Sequence, residues 1–179
     1  GENPYRFNWQ TPILLSPHNQ DILYLGGNKL HRSLNKGDDW ETISGDLTTG
    51  GKKGNVAYGT LTTISESPFQ FGLIYVGSDD GYINLTKNGG GSWKKVSNSL
   101  PQNLWVSRVV ASAHKKERVY ASLNGYRFDD FTSYVYMSDD YGKTWKNIGN
   151  SIPTSAVNVI KEDPVEPVVK SIPVTEPSA

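Results

Sequence analysis

Three octets decide the fold: SLNKGDDW at 33–40, TKNGGGSW at 86–93 and SDDYGKTW at 138–145. Each opens on Ser or Thr (Ser33, Thr86, Ser138), carries Asn or Asp third (Asn35, Asn88, Asp140), Gly fifth (Gly37, Gly90, Gly142), and closes on Trp. Trp40, Trp93 and Trp145 stand 53 and 52 residues apart. A fixed period of this length marks a repeat architecture. Within the octet, the third residue can accept bonds from backbone N–H groups of a tight turn. The glycine can take the positive φ that such a turn demands. The closing Trp is expected to cover the hairpin with a large apolar face and fix its register. Because the same polar residue recurs in every unit, it is read as a turn tie rather than as a catalytic group or a calcium ligand.

The flanks repeat as well. Short β-rich runs precede the octets at 22–26, 73–77 and 118–122, and turn-forming stretches precede those at 16–21, 65–71 and 112–117. Alternating strands such as 60–64 and 107–111 come earlier still. Four short strands with turn punctuation in about 50 residues is the content of one propeller blade. The expected fold is therefore all-β, a β-propeller segment of about three four-stranded blades plus the start of a fourth. The units run over about 5–47, 56–100 and 104–152, with a partial one at 155–163. Residues 1–163 make up the blades, and 164–179 read as an extended tail or linker because of Pro164, Pro167, Pro173 and Pro177.

SDDYGKTW resembles the Asp-box, or BNR repeat, of sialidases, xyloglucanase-type glycoside hydrolases and sortilin-type propellers. TKNGGGSW fits with conservative changes, while SLNKGDDW departs by placing Asp39 where Thr or Ser is usual. The resemblance covers about 5–165 and implies that the octets lie on a rim away from the ligand funnel. It implies a fold and not, by itself, an activity.

Composition narrows the classes further. Lys+Arg and Asp+Glu are equal at 18, so no basic surplus points to nucleic acid. No apolar run approaches the roughly 20 residues of a membrane helix. There is no cysteine, which removes disulfides, thiol catalysis and zinc–thiolate sites. His18, His31 and His114 lack metal-ligand spacing, so no metal and no cofactor are expected. Gly1-Glu2-Asn3-Pro4 shows no signal peptide, as a mature or trimmed chain would. GGKKG at 50–54 lacks the pattern of a phosphate loop, and Asn84-Leu85-Thr86 is a bare match to a glycosylation acceptor.

Propellers close with typically about four to eight blades, and closure removes exposed sheet edges. Three blades leave an open arc, so the partners expected are the remaining blades of a longer propeller or a second chain. Residues 8–13 read as an inner strand entered from something earlier.

Candidate contact residues follow from blade topology. Arg6, Asn8, Trp9, Tyr58, Trp105, Ser107 and Arg108 fall where chains lead into inner strands. Asp79, Asp80, Tyr126, Arg127, Asp129 and Asp130 fall on loops joining second to third strands. The loop at 124–133 is enlarged over its counterpart at 78–81, and its three aromatics, Arg and two Asp make it the strongest local candidate. Aromatic faces with such polar neighbours suit a glycan or an extended peptide equally. Glycoside hydrolysis would need two facing carboxylates, which Asp79/Asp80 and Asp129/Asp130 could in principle supply. No catalytic residue is assigned. The first reading is a non-catalytic binding or scaffold module of an exported or cell-surface protein, secreted or periplasmic. The second is a piece of a glycoside hydrolase acting on polysaccharide. A third is an assembly factor resembling the photosystem-stability propeller family.

Overall fold

The computed structural model describes residues 5–52 and 58–173, with the side chains of 170–173 set aside. Three four-stranded antiparallel sheets and one hairpin follow each other along the chain. The first sheet holds β1 (Ile13–Leu15), β2 (Leu23–Gly26), β3 (Leu30–Ser33) and β4 (Glu41–Thr42). The second holds β5 (Leu61–Glu66), β6 (Ile74–Ser78), β7 (Ile83–Thr86) and β8 (Lys94–Lys95). The third holds β9 (Trp105–Ala111), β10 (Val119–Gly125), β11 (Asp130–Ser138) and β12 (Lys146–Asn147). Strands β13 (Val157–Glu162) and β14 (Val169–Pro173) form the closing hairpin.

Each sheet is a meander in sequence order. The first strands β1, β5, β9 and β13 lie side by side from sheet to sheet, so the sheets stack as blades along their inner strands. The outermost strands are two residues long and carry Glu41, Lys94, Lys95 or Lys146. Short, charged edges of this kind resist pairing with another sheet.

Three apolar clusters lie between successive blades. Ile22, Tyr24 and Leu30 of the first blade meet Leu61, Ile64, Ile74 and Val76 of the second. Leu73, Tyr75, Ile83 and Leu85 of the second meet Val109, Val119, Ala121 and Leu123 of the third. Tyr120 and Val135 of the third meet Val157 and Ile160 of the hairpin. The second strands of the second and third blades, β6 and β10, are thus buried on both faces, which explains continuous apolar runs such as Ile74-Tyr75-Val76, whereas β2 is buried on one face only.

The octets turn as the sequence requires. Asn35, Asn88 and Asp140 each accept a backbone N–H four residues on, from Asp39, Ser92 and Thr144, all at 2.9 Å. Ser33, Thr86 and Ser138 accept the glycine N–H at 2.8, 3.0 and 2.8 Å. The unusual Asp39 is matched by a swap of roles. Asn35 donates to it at 2.8 Å, whereas Thr144 donates to Asp140 at 2.7 Å. The Trp residues do more than cover their own hairpins. Trp93 donates its indole N–H to the Ile43 carbonyl at 2.9 Å, and Trp145 to that of Val96 at 2.8 Å, each reaching into the preceding blade.

Three local expectations are revised. The inner strand of the first blade begins at Ile13, because Asn8 folds the chain into a turn by accepting the N–H of Gln10 and offering its carbonyl to Thr11. The 124–133 segment is mostly hairpin: β10 runs to Gly125, β11 starts at Asp130, and only a short 3₁₀ turn at Tyr126–Phe128 and Asp129 lie between. Pro164 and Pro167 lie in the turn that joins β13 to β14, and Val169–Pro173 pairs with β13, so the fourth unit continues past 163. Pro177 lies outside the described residues, as do Lys53 and Gly54 of the GGKKG stretch.

Candidate functional site

Meander topology gives the stack two rims. One carries the octets and the turns between first and second strands. The other carries the turns between second and third strands and the inter-blade connections, and the sequence candidates fall there.

Several of those candidates are spent on structure. Arg6 pairs with Asp46 at 2.6 Å and donates to the Gly59 carbonyl and Thr48 Oγ1. Asn8 is buried and donates to Thr60 Oγ1 at 3.0 Å. Tyr58 is half-buried, with the Lys52 ammonium 3.8 Å from its ring centroid. Ser107 donates to the Val157 carbonyl at 2.7 Å and so helps fix the last hairpin.

The Asp79/Asp80 pair is buried at 4% and 1% exposure, which removes it from reach of a substrate. Asp79 accepts the backbone N–H groups of Gly59 and Thr60 and the Thr60 hydroxyl. Burial pushes its carboxyl above the ordinary range, against the pull of those bonds. Asp80 accepts the N–H and hydroxyl of Thr49 at 2.7 Å each, and the Ser78 hydroxyl at 2.5 Å. Together the pair fastens the connection between the first and second blades to the β6–β7 turn.

The third blade differs. Tyr126 and Phe128 are 64% and 65% exposed, and Phe131 stands edge-on to Tyr126 with centroids 5.8 Å apart. Arg127 lies over the Trp105 ring at 4.3 Å, a cation–π stack that joins the turn to the inner strand. Asp129 adopts a left-handed conformation at φ 56°, which closes the 3₁₀ turn and turns the chain into β11. Asp130 accepts the Thr132 N–H at 2.9 Å and the Tyr134 hydroxyl at 2.8 Å, and bonds from those two residues hold its carboxyl below the ordinary range. Asn124 accepts the Tyr126 N–H and donates to Asn158. Arg108 is exposed on β9 beside a register shift in its pairing with β10. Trp9 stands apart on the first blade, 87% exposed.

Charge pairing separates two arginines of the third blade from the other three. Arg6, Arg32 and Arg118 form ion pairs with Asp46, Glu41 and Asp139. Arg108 and Arg127 form none among the described residues.

Sequence reasoning missed one set of residues. Ser16 and His18 clamp the second blade: the Ser16 hydroxyl donates to Glu66 at 2.5 Å and His18 Nε2 to the Ser67 carbonyl at 2.8 Å. Ser112 and His114 clamp the hairpin in the same way, through Glu162 at 2.7 Å and the Asp163 carbonyl at 2.8 Å. The signal was present as Ser-x-His at 16–18 and 112–114, with Glu at 66 and 162, each 96 residues apart. The glycosylation match at Asn84 fails on the folded chain, because its amide is buried in β7 and donates to the Leu47 carbonyl at 2.8 Å. No cluster of metal-ligating side chains occurs among the described residues, and no helix there is long and apolar enough to cross a membrane.

No family model and no curated protein matches the chain. Solved structures do. An ancestral GH74 enzyme is 18% identical with a TM-score of 0.61, covering 88% of this chain and 20% of that one. The GH74 xyloglucanase from Xanthomonas campestris is 15% identical with a TM-score of 0.60, covering 94% and 26%. YCF48 bound to a D1 peptide is 18% identical with a TM-score of 0.51, covering 90% and 50%. The chain thus spans half or less of each of these proteins. At such identities the likeness speaks for the fold alone. Three four-stranded sheets stacked along their inner strands, with the first hairpin of another, are blades of a β-propeller.

Proposed function

We propose that the chain is a non-catalytic binding module whose ligand is an extended peptide bearing carboxylates, held on the rim of the third blade. One observation carries this reading. Exposed Tyr126, Phe128 and Phe131 share the rim with the two arginines that lack an acidic partner among the described residues, Arg108 and Arg127. Asp130 and Asn124 on this turn are engaged in holding it. A sugar needs free polar side chains around its hydroxyls, whereas aromatic faces and guanidinium groups suit apolar and acidic peptide side chains. A protein of the same fold, YCF48, has been solved with a D1 peptide bound, which supports peptide recognition on such blades.

Hydrolysis has less support, because Asp79 and Asp80 are buried and hydrogen-bonded. The octets are taken as Asp-boxes and the chain as part of an exported or cell-surface protein, in keeping with the motif they resemble.

The test uses the intact polypeptide against arrayed synthetic peptides and arrayed glycans. Expected is micromolar binding (Kd about 1–100 μM) to acidic, aromatic-containing peptides, weakened about tenfold or more by Arg127→Ala or Phe128→Ala. Glycan binding without peptide binding overturns the peptide assignment. Polysaccharide turnover abolished by Asp129→Asn with Asp130→Asn overturns the non-catalytic one.

A further inference from the structure

The first and last blade boundaries each bury a carboxylate at the end of an inner strand, and the boundary between them does not. Glu66, Ala111 and Glu162 each end a first strand and lie opposite Ile74, Val119 and Val169 of the second. Glu66 accepts the Ser16 hydroxyl at 2.5 Å, the Tyr24 hydroxyl at 2.9 Å and the Gly72 N–H at 2.8 Å. Glu162 accepts the Ser112 hydroxyl at 2.7 Å and the Ala113 N–H at 2.6 Å, beside the Tyr120 phenol. Ala111, 9% exposed, offers only a methyl group at that position.

The donors that serve Glu66 have counterparts at the middle boundary. Ser67, Tyr75 and Glu117 stand there as Ser16, Tyr24 and Gly72 stand at the first. Ser16 and Ser67 donate their N–H groups to the Ile22 and Leu73 carbonyls, both at 2.9 Å. The Gly72 and Glu117 carbonyls accept the Gly89 and Tyr141 N–H groups, again both at 2.9 Å. The Tyr75 hydroxyl is fully buried and has no partner among the described residues. Ser67 Oγ accepts the Phe69 N–H at 3.3 Å but donates to nothing among the described residues, and the Glu117 N–H has no acceptor there either. Three donors without an acceptor suit a group that only accepts, as an ionised carboxylate does and a water molecule does not.

The charges at the octet rim favour an anion as well. The Lys87 ammonium lies 3.3 Å from the Tyr141 ring centroid, and burial, followed by Lys143, Lys116 and Lys94, lowers its pKa. None of these four lysines forms an ion pair among the described residues. Two acids, Glu117 and Asp140, also act on Tyr75. Glu117 accepts the Tyr141 hydroxyl at 3.4 Å, and Asp140 is held within its own turn by Ser138 and Thr144.

We infer that Ser67 Oγ, Tyr75 OH and the Glu117 N–H form a binding site for a small free carboxylate, seated beyond the Ala111 methyl group. Beyond its Cβ, Glu66 carries –CH2–CO2−, an acetate-sized group, so formate and acetate are the class of ligand that fits. Lys87, Lys116 and Lys143 supply the attracting charge. The site lies on the octet rim, opposite Arg127, and is independent of the peptide reading above.

Thermal unfolding of the intact polypeptide at neutral pH in sodium acetate, against sodium chloride at equal ionic strength, tests it. Expected is a rise in midpoint of about 3–8 °C at about 100 mM acetate, for a Kd of about 1–10 mM. Tyr75→Phe should lose most of this response without a lower midpoint in chloride. Ala111→Glu, which supplies the carboxylate covalently, should raise the midpoint in chloride and abolish the response to acetate. Equal responses to acetate and chloride overturn the inference, as does a full acetate response in either variant. If Ala111→Glu fails to fold, saturation-transfer NMR from the protein to acetate decides the matter. A signal in the wild type that is lost in Tyr75→Phe supports the site, and its absence from the wild type or persistence in the variant overturns it.

Discussion

The hydroxyl of Tyr24 donates to Glu66 Oε1 across the first blade boundary at 2.9 Å, while the equivalent Tyr75 hydroxyl is buried without a partner among the described residues. The difference follows from one residue of the facing strand, Glu66 at the first boundary and Ala111 at the second. Removing a satisfied buried hydroxyl costs stability, and removing an orphan does not. Tyr24→Phe should therefore lower the unfolding free energy by about 1 kcal/mol, whereas Tyr75→Phe should leave it unchanged or raise it by up to about 1 kcal/mol. Urea denaturation of the two variants side by side measures the contrast.

Glu66 accepts three bonds, from Ser16 Oγ, Tyr24 OH and the Gly72 N–H. Glu66→Leu orphans all three donors at once and should destabilise by about 3 kcal/mol or more. Hydrogen exchange should then accelerate at 13–26 before it does at 119–125, because the damage is confined to the first boundary.

The third octet should be the acid-sensitive one. Hydrogen bonds, first from the Thr144 N–H and then from the hydroxyls of Thr144 and Ser138, lower the Asp140 carboxyl from 3.8 to about 2. Because the folded value lies below the unfolded one, the stabilisation is present above pH 3.8 and is lost as pH falls towards 2. Asn35 and Asn88 occupy the same position and do not titrate. Peptide-resolved hydrogen exchange should show 138–147 opening between about pH 4 and pH 2, with 86–95, which contains no acidic residue, unaffected. Asp140→Asn should remove the difference.

Trp145 joins two blades through one indole bond and its ring packing. Trp145→Ala should cost about 3–5 kcal/mol, and Trp145→Phe less, because the ring contact survives while the Val96 carbonyl loses its donor. Calorimetry of both variants separates the two contributions.

Arg127 is held over Trp105 as a planar cation. Arg127→Lys should keep the charge and lose the stacked geometry, so peptide affinity should fall less than with Arg127→Ala but should not be restored. Titration calorimetry with a peptide selected from the array reads this directly.

The blade repeat was legible because a tight hairpin allows few residue types. Asn or Asp must accept the turn amides, Gly must take positive φ, and the Trp period exposes the unit length. The candidate rim was legible in outline, since Tyr126, Arg127 and Phe128 fall on an enlarged turn. What those side chains do was not legible. Asp79 and Asp130 are both acids at the same kind of turn, yet one is buried under Gly59 and Thr60 and the other braces an exposed aromatic turn. Only the placement of the neighbouring chain separates them.

By itself, the sequence determined the local hairpins, their period and the strands between them, because those depend on residues within a few positions of each other. The tertiary structure decided where each Trp finds its acceptor. Trp93 and Trp145 reach carbonyls about 50 residues back in the chain, while Trp40, in the same motif, has only its own turn to bond. The physical reason is that an indole N–H is satisfied by whatever main chain packs beside it, and that neighbour is set by the stacking of blades rather than by the octet.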